Sequence, residues 1–227
     1  MKRLQKLAGI AAISEGLIYI VAFVYFGAFL SYPADGTPVE QMTYLAEIQL
    51  PFSMIYFLIY VVFGVILAVL VVGLHEKLKH TNNPAVTIGS LFGVIWVGLV
   101  IASGMISNIG LSHAIELMDK SPEKALDMWT TVSVITRSLG GGNEIVGGLW
   151  VLLISIAAMK EGWLLRALNS LGCFVGVAGI ATIYPDDLLT EIFGVSQIVW
   201  FIWLGVYLLT KKDPDKSIQP TANASAD

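Results

Sequence analysis

The chain has 227 residues, of which 56% are hydrophobic and only 13% are charged, against roughly 25% charged in an ordinary soluble domain. So few charges cannot cover the surface of a water-soluble fold, and the mean hydropathy of +0.76 agrees. A net charge of -4 without a basic tract gives no footing for nucleic acid, and the single cysteine, Cys173, excludes a disulfide-stapled module.

A bilayer core about 30 Å thick asks for about 20 apolar residues per helix. Six runs meet that length, at 7–30, 51–74, 85–110, 129–159, 163–184 and 190–210. With six spans, Lys2, Arg3, Lys6, Lys77, Lys79, Lys160, Arg166, Lys211, Lys212 and Lys216 fall on one side and only Lys120 and Lys124 on the other. The positive-inside rule then predicts both termini in the cytoplasm. The expected fold is an all-α integral membrane bundle of six transmembrane helices, one domain over 1–212, followed by a polar, disordered cytoplasmic tail over 213–227.

The first run follows Lys2, Arg3 and Lys6 as a signal peptide would. It is too long for one, contains Glu15 and lacks a small-residue cleavage site, so it reads as a retained span. Glu15 lies about 13 Å from Lys6 along a helix, close to the midplane, as a neutral packing group or a proton carrier. Next, Thr37-Pro38-Val39-Glu40 carries a cap, a proline at the first helical position and a glutamate at the third, so a helix should start there. Val39, Met42, Leu45 and Ile48 recur at helical spacing after it, which suits a short interfacial helix or one that closes the outer ends of the spans. The third run contains Gly89-xxx-Gly93 and ends near Asn108, with Ser103, Ser107 and His113 close by in sequence. Ser121-Pro122-Glu123 opens another helix in the same manner as Thr37.

The fourth run, 129–159, is the least regular: 31 residues would extend about 46 Å as a straight helix. It must tilt or break, and Gly140-Gly141-Gly142 supplies a break, with Asn143 placed to cap a second half-helix. A helix opening inside the membrane offers unpaired N–H groups, and Glu144 stands in its first turn as an anion. Arg137 is seven residues earlier and either pairs with Glu144 across a folded break or snorkels to the headgroups. Gly172-xxx-Gly176 in the fifth run, like Gly89-xxx-Gly93, lets backbones approach, either within the chain or at a homo-oligomer or membrane-partner face. Gln197 lies about 10 Å into the sixth run. Trp163, Trp200, Trp203 and Tyr207 fit an inner interfacial belt, and Trp129 and Tyr184 an outer one.

Several segments together are similar to a family of bacterial multi-pass membrane proteins defined as a domain of unknown function. They are Leu7-Ala8-Gly9-Ile10, Asn83-Pro84, the glycine-rich stretch from Gly140 through Glu144 to Gly148, Gly162-Trp163-Leu164 with Leu171-Gly172, and Ile198-Val199-Trp200 with Trp203-Leu204-Gly205. The resemblance implies a bacterial cytoplasmic-membrane location and a single helical domain, and it carries over no catalytic residue.

No three of His75, His80, His113 and Cys173 cluster, and no nucleotide-binding, nucleophile-elbow or zinc-protease motif occurs, so neither a metal nor another cofactor is implied. Two readings are open. In one, an outward-facing polar pocket among the third, fourth and sixth runs binds or moves a small solute, proton or cation. Glu144, Asn143, Asn108 and Gln197 would line it, Arg137 would balance charge, and Glu15 would be the buried ionisable group. In the other, these residues only fix packing in a structural or accessory membrane subunit. A membrane enzyme acting on lipid or quinone lacks any recognisable nucleophile.

Overall fold

The computed structural model describes residues 2–141 and 144–211, and among them the chain is helical with no strand. The expected tail over 213–227, and Asn143, lie outside the described residues. Helix α1 (Lys2–Val24) continues through a π-helical turn, Tyr25–Phe29. After a loop come α2 (Pro38–Glu47) and α3 (Gln49–Tyr56), which runs through a second π turn, Phe57–Val62, into α4 (Phe63–Leu78). Then follow α5 (Pro84–Met118), α6 (Pro122–Thr136), a kinked segment at Arg137–Gly141 in which Gly140 is non-helical, α7 (Ile145–Lys160), α8 (Arg166–Ala181) and α9 (Asp187–Thr210).

Five stretches are long and apolar enough to cross a membrane: Arg3–Phe29, Gln49–Thr81, Pro84–Met118, Pro122–Lys160 and Asp187–Thr210. The run expected at 163–184 is the shorter α8, whose 16 residues reach about 24 Å. The run expected at 129–159 is two helices joined through the glycine break, the first starting already at Pro122.

Local chemistry explains where the helices begin. Thr37 forms a full capping box: its Oγ1 accepts from the Glu40 N–H at 3.3 Å, and its own N–H donates to Glu40 Oε2 at 2.7 Å. That backbone donor, with the Thr37 hydroxyl, holds the Glu40 carboxyl below its ordinary pKa. Ser121 caps α6 by accepting from the Lys124 N–H, Asn83 caps α5 and Asp186 caps α9, each ahead of a first turn whose N–H groups have no intrahelical partner. At Asn82 the backbone turns left-handed, φ 53°, a conformation that asparagine tolerates better than most residues.

Helices α1, α4, α5, α7, α8 and α9 pack each on the next, and α9 closes on α1, making a ring of six. Its polarity is that of a body immersed in an apolar medium. Leu17, Val65, Leu91 and Val177 are more than half exposed, while Glu15, Ser103 and Gln197 are completely enclosed. In such a medium helices associate by close packing more than by hydrophobic drive. Both glycine pairs serve that end within the chain. Gly89 and Gly93 face Leu153, Ile154 and Trp150 of α7, and Gly176 lies against the backbone of Gly148 and Leu152.

We call the end of the ring where α1 finishes and α9 begins the far end, and the opposite one the terminal end. At the terminal end, Gln5 Nε2 donates to the Leu208 carbonyl at 2.8 Å, and Tyr207 and Lys211 both donate to the Trp163 carbonyl. These bonds tie α1, α9 and the α7–α8 turn together. At the far end a second apolar cluster joins Met42 and Leu45 of α2 and Phe52 of α3 to Leu111, Ala125 and Trp129. Met42 and Leu45 of the α2 stripe therefore pack on protein, with α2 against α5 and α6, while Val39 is half exposed. Two belt expectations change for the same reason: Trp129 is 8% exposed within this cluster, and Trp200 is wholly buried in the ring.

Candidate functional site

Aromatic side chains form one layer of the ring interior. Trp96 of α5, Trp150 of α7, Trp200 and Phe201 of α9 and Phe63 of α4 form a closed circuit with centroid separations of 5.8, 5.9, 5.5, 6.4 and 5.7 Å. Such distances suit edge-to-face and tilted contacts. Tyr19 of α1 packs on this circuit through Phe63 at 5.5 Å and Phe201 at 6.2 Å.

On the far-end side of that layer the ring opens into a cavity of about 420 Å³. Helix α1 and its π turn contribute Tyr19, Phe23, Phe26 and Gly27; the turn before α4 contributes Ile59 and Tyr60; α5 contributes Trp96 and Val100; α9 contributes Thr190, Glu191, Phe193 and Gly194. Gly140 and Glu144 close the wall at the break. Both π turns and the kink at Gly140 thus supply lining residues, and α8 supplies none. A π turn places one extra residue in the helical circuit, which rotates the following side chains and leaves the helix wider locally. Two of them, with the kink at Gly140, border this one space.

Glu144 is the centre of the site. It stands immediately before α7, where the chain recovers helical geometry after Gly140, whose φ of 155° is open to glycine and strained for other residues. Its N–H donates to Thr182 Oγ1 at 2.8 Å, and that hydroxyl donates onward to the Gly179 carbonyl at 2.7 Å, so α8 fixes the start of α7. The side chain is 7% exposed and its Oε2 has no hydrogen-bond partner. The carboxylate lies beside the Trp96 indole, although Nε1 of that indole makes no hydrogen bond of standard geometry. Ser103 and Ser107 of α5 brace the break from the other side: Ser107 Oγ bonds Thr136 Oγ1 at 2.7 Å, and Ser103 Oγ donates to the Thr136 carbonyl at 3.3 Å.

The other candidates are distributed differently. Glu15 is fully buried one helical turn before Tyr19, with neither carboxylate oxygen partnered. It makes no hydrogen bond with Glu144. Gln197 is fully buried between Phe193 and Phe201 on α9, its amide unpartnered, and it does not line the cavity. Asn108 lies farther along α5, half-buried, its carbonyl accepting from Ser112 at 3.2 Å; it too is outside the lining. Arg137 makes no pair with Glu144. Its Nη2 donates to Asp187 Oδ1 at 3.3 Å in an exposed bridge from the kinked segment to the start of α9.

The expected polar pocket among the third, fourth and sixth runs is therefore, in its lining, an aromatic cavity with carboxylates that also takes in the first and second runs. Residue-by-residue reading missed Tyr19, Tyr60, Trp96 and Thr182. Only Tyr19 left a trace in the sequence, four residues after Glu15 on the same helix face. No known protein family, curated protein or solved structure matches the chain.

Proposed function

We propose that this is a six-span membrane protein with both termini in the cytoplasm, and that its far-end cavity opens outward and binds a small solute with Glu144 as the polar anchor. The observation that carries the reading is the convergence on one cavity of two π turns, the glycine break and a nine-tenths-buried carboxyl group with an unpartnered oxygen. π turns concentrate at functional sites, and intramembrane carboxylates are retained where they have a use. The six-span topology is supported by the place of α8 in the ring between α7 and α9, and by the basic residues, which gather at the terminal end. A bacterial cytoplasmic-membrane location belongs to the same proposal and rests on the resemblance of the glycine-rich segment.

The test is site-directed labelling in a Cys173→Ser background. Ala22→Cys, on the cavity wall, should react in intact cells with a membrane-impermeant maleimide added outside, whereas His80→Cys should react only after permeabilisation. The opposite pattern would invert the topology. An Ala22→Cys protein that stays unlabelled from both sides would remove the open cavity. An accessory subunit without a ligand has less support, because the faces of both glycine pairs are filled by α7 of the same chain.

A further inference from the structure

We propose that the ligand is a small organic monocation, an amine or quaternary ammonium group on an apolar body, held by the aromatic wall and the Glu144 carboxylate. The inference rests on the reading of the cavity as a solute site and names the chemistry that fits it.

Charge is the first argument. Two carboxylates, Glu144 and Glu191, line the cavity, and among the described residues no lysine, arginine or histidine does. Arg137, the cation nearest in sequence, bridges to Asp187 and is not among the lining residues. An anionic ligand would meet two carboxyl groups and, among the described residues, no cationic side chain, and the Glu144 N–H is already bonded to Thr182. A neutral hydrocarbon would leave Glu144 Oε2 buried without a partner, which costs free energy that a bound cation offsets.

Lining chemistry is the second argument. Seven of the seventeen lining residues are aromatic, from α1, α4, α5, α9 and the two π turns. Aromatic rings attract organic cations through their quadrupoles, most strongly when both are desolvated. Hard metal ions ask instead for six or more oxygen ligands. The volume of about 420 Å³ exceeds what a bare ion or a single water needs and lies within the range of small-molecule sites.

The experiment uses the full-length protein in detergent and two probes of nearly equal shape, benzyltrimethylammonium and its uncharged carbon analogue neopentylbenzene. Binding is followed by calorimetry and by displacement. The unaltered protein should bind the cation at least about 30-fold more tightly than the neutral analogue, the ratio expected for loss of a buried charge partner. Glu144→Gln should lose most of that preference, while Glu191→Gln at the exposed mouth should change it only a few-fold and mainly at low salt. Equal binding of the two probes would overturn the cation and leave the cavity as a site for neutral solutes, and a preference that survives Glu144→Gln would overturn the carboxylate of Glu144 as what holds it. Absence of binding by either probe would also overturn it, and labelling of Ala22→Cys would then decide separately whether the cavity itself stands. If Glu144→Gln does not fold, the two probes on the unaltered protein remain decisive.

Discussion

On either side of Glu144 the same ring is built in opposite ways. Towards α8 the helices meet backbone to backbone. A Cβ at Gly148 would come within 2.7 Å of the Gly176 carbonyl oxygen and 2.8 Å of the Ile180 nitrogen, and one at Gly176 within 2.8 Å of the Gly148 oxygen. Towards α1 and α4 the helices stand apart around a space of about 420 Å³, and each carries a π turn at that level. The difference lies in what can yield. Facing glycines let two regular helices approach until their main chains touch, and nothing there can move cheaply. A π turn does the reverse, spending one residue on local width, and the aromatic side chains it redirects line the gap without filling it. The stiff side holds the carboxylate, and the open side gives it something to face.

The largest test of this contrast compares glycines. Gly148→Ala should destabilise the protein by about 3 kcal/mol, and Gly148→Leu should abolish the folded, monodisperse species, because each would drive side-chain atoms into main chain. Gly27→Ala, in a π turn on the cavity wall with nothing within 4 Å of the added Cβ, should be close to neutral. Equal losses for Gly148→Ala and Gly27→Ala in unfolding from mild detergent would remove the distinction. Next, Gly140→Ala should cost about 1–3 kcal/mol through its φ of 155°, and should lower the ligand affinity of the cavity more than a strain-free change of the same size elsewhere. Thr182→Val removes the acceptor for the Glu144 N–H and should cost about 1–2 kcal/mol, with Thr182→Ser restoring most of it.

Smaller effects sharpen the edges. Arg137→Gln should change stability by no more than about 0.5 kcal/mol, and salt should erase even that, since its bridge to Asp187 is exposed at both ends. A larger loss would mean that the kink at Arg137–Gly141 depends on the bridge. The smallest effect concerns the cap of α2. The Glu40 carboxyl has a lowered pKa in the folded protein, so its contribution is complete above the ordinary carboxylate range and is lost as pH falls through the folded value. The difference in thermal midpoint between Thr37→Ala and the unaltered protein should therefore be present at neutral pH and shrink in acid.

Much of the framework is legible in the chain because its signals are local. The apolar runs, the Thr37 and Ser121 caps and the break at Gly140 each depend on a few consecutive residues, and the structure has helices starting at Pro38 and Pro122 and a non-helical glycine at 140. The π turns are different. Tyr25–Phe29 and Phe57–Val62 have no proline and no glycine cluster to announce them, and their sequences continue the apolar runs without interruption. Partner choice was equally hidden. Arg137 is seven residues from Glu144 and 50 from Asp187, and it is the distant acid that it meets.

By itself, then, the sequence determined the solvent and the rhythm of this protein: which stretches are apolar enough for lipid, where the charges gather, and where glycines permit a break or a close approach. Tertiary structure alone decided that Glu144 faces a cavity walled by rings, that Gln197 and Asn108 stay out of it, and that both glycine pairs are used up against α7. The physical reason is one of range. Helix formation and lipid compatibility are set within a few turns of chain, whereas a cavity is the space left where helices distant in sequence fail to close on one another.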